Sequence, residues 1–242
     1  MQALGIVMFI ATAQPRIIMT EKLALLRLMH LVSPTLPIGS FTYSQGIEWA
    51  VEVGWIHDAD SLHAWLASQL ASNMTQLELP LLKRLYHAWQ LEDLAAIEIW
   101  IAISNASRET SELLLEEKNR GRALTDLLIA LELPHAAQHK PLLSQSQVAA
   151  FALASVVWQV SLEQALYGYA WSWLENLVLS AVKIIPLGQT QGQKVLHQMT
   201  PLLLTAIEQS LKIADDEIGA ALPALALASS YHETQYTRLF RS

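Results

Sequence analysis

The sequence predicts an all-α protein, a single-domain bundle of about eight to eleven helices at ordinary helix lengths, and three observations carry that expectation. Apolar residues recur at helical spacing along almost the whole chain. Serine, threonine or aspartate precedes many of these runs, and proline follows several of them. No convincing run alternates with a period of two, and no Asn-Gly hairpin turn occurs.

Taken in order, Leu23, Leu25, Leu26, Leu28, Met29 and Val32 form the apolar face of a first helix, with Thr20 as its N-cap and Ser33-Pro34 as its stop. Leu62, Trp65, Leu66, Leu70 and Met74 repeat after Asp60, a second cap candidate. Pro80 suits the first residue of a helix carrying Leu82, Leu85, Tyr86 and Trp89. Ile97, Trp100, Ile101 and Ser104 continue the pattern, and Leu113, Glu117, Leu124, Leu127, Leu128 and Leu131 carry it to Pro134. Ser144–Gln147 and Ser161–Gln164 both read as capping boxes. The clearest long loop is Pro134–Pro141, but the helices beyond it are as apolar as those before. One domain is therefore expected over residues 21–230, between a disordered or variable extension (1–20) and a C-terminal partner-docking tail (231–242).

Composition narrows the function. Apolar residues make up 52% of the 242 and charged ones only 15%, a low share for a soluble protein. The longest apolar stretches are nevertheless interrupted by Ser155, Gln159, Ser180, Lys183 and Pro186, so none reaches the ~18 clean residues of a membrane span. The surplus apolar surface points to protein interfaces. A net charge of −7 without a basic block argues against nucleic acid. The absence of cysteine excludes disulfides, thiolate metal sites and thiol nucleophiles, and fits a cytoplasmic protein. Ala11-Thr12-Ala13 could pass for a signal-peptidase site, but no Lys or Arg precedes it. Met19 is an alternative start, and a cleaved signal is the lesser reading.

Catalytic patterns are missing. Phosphate-cradling glycine loops and a Gly-x-Ser-x-Gly elbow are absent. His232-Glu233 opens like a zinc-protease helix, but Tyr236 stands where the second histidine must be. His135 and His139 have chelating spacing, yet the flanking prolines favour a solvated loop over a metal site. An enzyme using Glu48, Glu175 and a histidine would need convergent groups in a pocket, and a metal store or carrier would need a richer ligand set. Ser172, Asn176, Ser180 and Lys183 form a narrow polar stripe on an apolar helix: either an outer face or a track toward a partner or an internal passage. Glu116, Glu117, Lys118 and Arg120 read as a solvated face, beside which Arg108 and Arg122 could anchor buried pairs.

Four segments in order resemble the urease accessory protein F family: Ser33–Ala50 (Ser-Pro-x-Leu-Pro-x-Gly-x-Phe-x-Tyr-Ser-x-Gly), Ser107–Leu113 with Gly121-Arg122, Trp171–Gln193, and His232–Ser242. The resemblance spans about Leu23 to Ser242. It implies an all-α, usually dimeric, non-catalytic protein placed between a scaffold accessory protein (D or H type) and the GTPase accessory protein G. That complex docks on apo-urease and helps deliver nickel; no cofactor is expected on this chain itself.

Nine residues follow as partner-binding candidates: Phe41, Tyr43, Glu48, Lys183, His232, Tyr236, Arg238, Leu239 and Phe240. Pro34, Pro37 and Gly39 should fix a rigid loop that sets Phe41 and Tyr43 at an edge beside Glu48, with Tyr43 organising the GTPase surface. Lys183 should face a partner or a passage. The last helix should end shortly before Tyr231. Residues 232–242 should then be mobile in the free protein and order on the scaffold, with Arg238 tying the tail back near Tyr43 and Leu239 and Phe240 as apolar anchors.

Overall fold

The computed structural model describes the backbone of residues 14–242 and side chains from Thr20 onward. The described residues are all-α, as the periodicity predicts. Eleven α-helices follow one another: α1 Gln14–Leu31, α2 Ile47–Glu52, α3 Ala59–Gln69, α4 Leu79–Gln90, α5 Leu94–Ala106, α6 Ser111–Ala130, α7 Lys140–Leu143, α8 Gln147–Val157, α9 Leu162–Ile184, α10 Gln189–Ser210 and α11 Pro223–His232. None of the helices is long and apolar enough to cross a membrane.

α8 is the hub. Gln147 to Ser155 are all buried, so this helix has no solvent face until its last two residues. It packs between α4, α6 and α9, while α10 closes over α9 and α3. α2 and α11 pack on each other at one end. Gly121 permits the α6–α8 approach: a Cβ there would lie 2.8 Å from the Ser146 carbonyl carbon and 2.9 Å from its nitrogen.

Four local expectations need correction. α1 is already helical at Gln14, so Thr20 lies inside it and is not its cap; the earlier part of the proposed extension lies outside the described residues. α3 is capped by Asp58, which forms a reciprocal capping box with Ser61, and Asp60 sits in the first turn. α8 is capped by Ser146, whose hydroxyl accepts from the Ala149 N–H, and Ser144 heads no capping box, whereas Ser161 and Gln164 form the one expected.

The fourth correction concerns Pro80. It stands in the first turn of α4, as expected, but no break precedes it, because α3 runs into α4 through a π-helical segment, Leu70–Glu78. Proline has no N–H to give the carbonyl four residues back, that of Gln76. The Gly219 N–H, from the connection between α10 and α11, donates to that oxygen instead at 3.1 Å. The same wide turn carries Glu78 into the interior, where it is buried.

Gly121→Ala should lower unfolding free energy by about 1–3 kcal/mol, because the new methyl meets backbone that cannot swing aside. Denaturant titration of the full chain measures this.

Candidate partner-docking site

The loop after α1 sorts its two aromatic residues to opposite sides. Gly39 and Gly46 take left-handed backbone (φ 74° and 78°), which lets the chain turn around the 3₁₀ segment Ser40–Thr42. Phe41 points outward and is 56% exposed, whereas Tyr43 is buried. The Tyr43 carbonyl accepts from Ser180 Oγ (3.2 Å) and its hydroxyl from Asn119 Nδ2 (3.4 Å). Tyr43 therefore supports the loop from within and does not present an edge surface.

The C-terminal segment closes on this loop. The Arg241 N–H donates to the Thr42 carbonyl (2.8 Å), and Ser44 donates through both its N–H (2.7 Å) and Oγ (2.6 Å) to the Ser242 carbonyl. Glu48, in the first turn of α2, accepts the N–H groups of Leu239 (2.6 Å) and Phe240 (2.8 Å). His232 is fully buried between two carboxylates, with Nε2 at 3.2 Å from Glu48 and Nδ1 at 2.7 Å from Glu112. Arg238 bonds the other Glu112 oxygen at 2.6 Å.

The expected mobile tail is thus a clasp on its own domain. Its backbone donors meet Glu48, and Phe240 is buried. Glu48, His232 and Phe240 are internal, and Arg238 ties to Glu112 instead of reaching toward Tyr43. Tyr231 belongs to α11, which ends at His232. Tyr236 and Leu239 remain outside, Tyr236 fully exposed and Leu239 66% exposed. Lys183, exposed at the end of α9, lies 5.8 Å from the ring centres of both Phe41 and Phe240. Of the nine candidates, Phe41, Lys183, Tyr236 and Leu239 form the outer side of the clasp, while Arg238 fastens it.

Beneath the clasp lies a polar core that the sequence reading missed. Glu116 and Glu117 are buried, so this part of α6 is not a solvated face. Glu116 accepts from Arg120 (2.8 Å), Gln45 Nε2 (2.9 Å) and the Ser242 hydroxyl (2.9 Å). Glu117 accepts from Arg108 (3.1 Å), Ser146 Oγ (2.7 Å) and the Gln147 N–H (2.8 Å), satisfying the start of α8. Arg108 also pairs with Glu78, which accepts the Tyr169 hydroxyl at 3.0 Å. Burial works against the Arg108 charge, but Glu78 and Glu117 more than offset it, so the guanidinium titrates above its ordinary range. Burial, then Glu78 and Glu117, push the Tyr169 hydroxyl well above its usual value. Arg108 anchors buried pairs as expected, whereas Arg122 is exposed.

The α9 stripe runs from this core outward. Ser172 lines a cavity of about 40 Å³ together with Arg108, Arg120 and Tyr169, large enough to hold water. Ser172, Asn176 and Ser180 bond back to carbonyls of their own helix, which leaves Lys183 as the stripe's only charge. No group of three or more His, Asp or Glu side chains able to hold a metal ion occurs among the described residues. His135 and His139 sit in the turn before α7, their ring centres 6.4 Å apart.

The clasp joins the two ends of the sequence pattern, and comparison with known proteins covers nearly all of it. A protein-family model, UreF, matches residues 56–200. A protein of Alcanivorax borkumensis named urease accessory protein UreF is 52% identical over 227 residues, 90% of this chain and 98% of that relative. The chain belongs to the UreF family. Relatives of the same name from Pseudomonas putida W619 and Teredinibacter turnerae are 47% and 48% identical, covering 93% and 90% of this UreF-family chain and 100% and 98% of their own lengths.

Glu48→Gln should loosen the clasp without unfolding the bundle, because the amide keeps the shape but loses the charge that two backbone N–H groups address. Amide exchange at Leu239 and Phe240 should quicken by at least about tenfold, equivalent to ~1.4 kcal/mol. Mass spectrometry of C-terminal peptides, with helical content as a control, checks it.

Proposed function

We propose that this chain is a non-catalytic accessory protein of urease maturation. In this reading it acts in the cytoplasm as a homodimer, binds the scaffold (D/H-type) accessory protein and the GTPase accessory protein G, and helps present that complex to apo-urease so that nickel reaches the enzyme. Nickel is cargo of the complex and is not assigned to a site on this chain. Family membership supports the role in urease maturation.

One observation carries the docking part of the proposal. Phe41, Tyr236 and Leu239 are exposed apolar side chains belonging to two segments that hold each other by backbone hydrogen bonds. A frame fixed in advance reduces the ordering cost when a partner covers such side chains. Lys183 beside Phe41 adds a charge at this surface. Phe41 and Lys183, not the buried Tyr43, form the outward face of the loop.

Deleting residues 232–242 would also strip buried Glu48 and half-buried Glu112 of their side-chain partners and take the Ser242 hydroxyl from Glu116, so point substitutions give the cleaner test. The Tyr236→Ala, Leu239→Ala double variant should melt like the parent chain, because both side chains stand outside the core. It should lose co-elution with the scaffold protein, with binding weakened by about 30-fold or more. Unchanged co-elution would overturn the assignment of this surface.

A further inference from the structure

A second set of aromatic residues, with Trp55 and Tyr231 exposed and Trp49 half-buried, lies on α2, the turn after it and α11. Trp49 and Tyr231 stack nearly parallel, ring centres 4.9 Å apart at 10°. Trp55 meets Trp49 edge-on at 5.0 Å and Trp65 at 6.2 Å. Four residues of this patch remain open to solvent: Trp55 (43%), Tyr231 (54%), Val53 (44%) and Leu227 (49%). The patch uses none of the outward side chains of the clasp. Trp65 is buried, yet its indole N–H has no acceptor among the described residues.

Charge distinguishes this patch from an ordinary apolar surface. Glu52, Asp58 and Asp60 flank Val53 and Trp55 in sequence and are all exposed. Residues 44–82 contain no Lys or Arg, nor do residues 221–237, which carry α11. A second copy of the same face would bring acidic groups against acidic groups, and an anionic lipid surface would be repelled. A basic partner side chain instead gains both the carboxylates and the negative ring faces of the indoles.

We infer that this acidic, tryptophan-rich patch docks a partner protein through a segment that presents Arg or Lys beside an apolar residue. The rings supply desolvated contact area and stacking for a guanidinium or ammonium group. Glu52, Asp58 and Asp60 set the sign of the partner and speed its approach. The inference goes beyond the clasp surface and does not depend on which accessory protein occupies that surface.

Photo-crosslinking tests it. The full chain carrying Val53→p-benzoylphenylalanine is irradiated in cells that contain the urease assembly proteins, and crosslinked peptides are sequenced. Leu227→p-benzoylphenylalanine serves as a second reporter, and Leu204, exposed on α10, as the background position. The expected product is a partner peptide with Lys or Arg within about three residues of the crosslink, a spacing set by side-chain reach. Adding Glu52→Lys should cut its yield about three- to tenfold, and adding Trp55→Ala about 30-fold, with helical content unchanged. Crosslinks to a second copy, to lipid, or to a segment without a basic residue would overturn the inference. So would a yield no higher than at Leu204, or one indifferent to Glu52→Lys. The clasp reading is judged separately, by scaffold co-elution of the Tyr236 and Leu239 double variant.

Discussion

A carboxylate taken out of water costs several kcal/mol unless its lone pairs are met, and α6 carries two of them, Glu116 and Glu117, inward at consecutive positions. Successive helical side chains diverge by about 100°, so the two groups address different neighbours. Glu117 turns to Arg108 and to the start of α8; Glu116 turns to Arg120, Gln45 and the hydroxyl of Ser242. Satisfying this adjacent pair therefore requires the hub helix on one hand, and the loop after α1 with the C-terminal segment on the other.

The same requirement explains several features that look local. Gly121 lies one turn after Glu117 and lets the backbones come close enough for its carboxylate to reach the Gln147 N–H. The π segment before Pro80 sets Glu78 where it shares Arg108 with Glu117, so that one guanidinium serves two buried carboxylates. Glu112, one turn before Glu116, extends the row of acceptors to His232 and Arg238. α6 is in this sense a ladder of carboxylates on which three remote parts of the chain converge.

The helices were legible in the sequence because an amphipathic pattern is local: the faces of α3, α4 and α6 follow from spacing alone. Motif order also marked the right segments, including the loop at Pro34 and the terminal His232–Ser242. Long-range pairing was not legible. Glu116 and Glu117 amid charged neighbours have the composition of a solvated face, and only folding reveals that Arg108, Ser146 and Ser242 surround them. The packing of the tail on its own domain was hidden for a related reason. Phe240 and His232 look like free anchors until the carboxylates of Glu48 and Glu112 are placed beside them. Pro34, Pro37 and Gly39 hinted at a tight loop, but not at which of Phe41 and Tyr43 would face inward.

The bond between Ser44 and Ser242 joins residues 198 positions apart, so closing the clasp carries the entropy cost of a long loop. Synthesis proceeds from the N-terminus, and Glu48 leaves the ribosome long before the amides of Leu239 and Phe240 exist. Every newly made molecule thus passes through an interval in which the bundle can be largely assembled while the Glu48 carboxylate is still hydrated. A protein that meets the nascent chain during that interval encounters a different surface from one that meets the finished molecule. The order of translation itself thereby becomes a variable in assembly, with the emergence of Leu239 and Phe240 ending the interval.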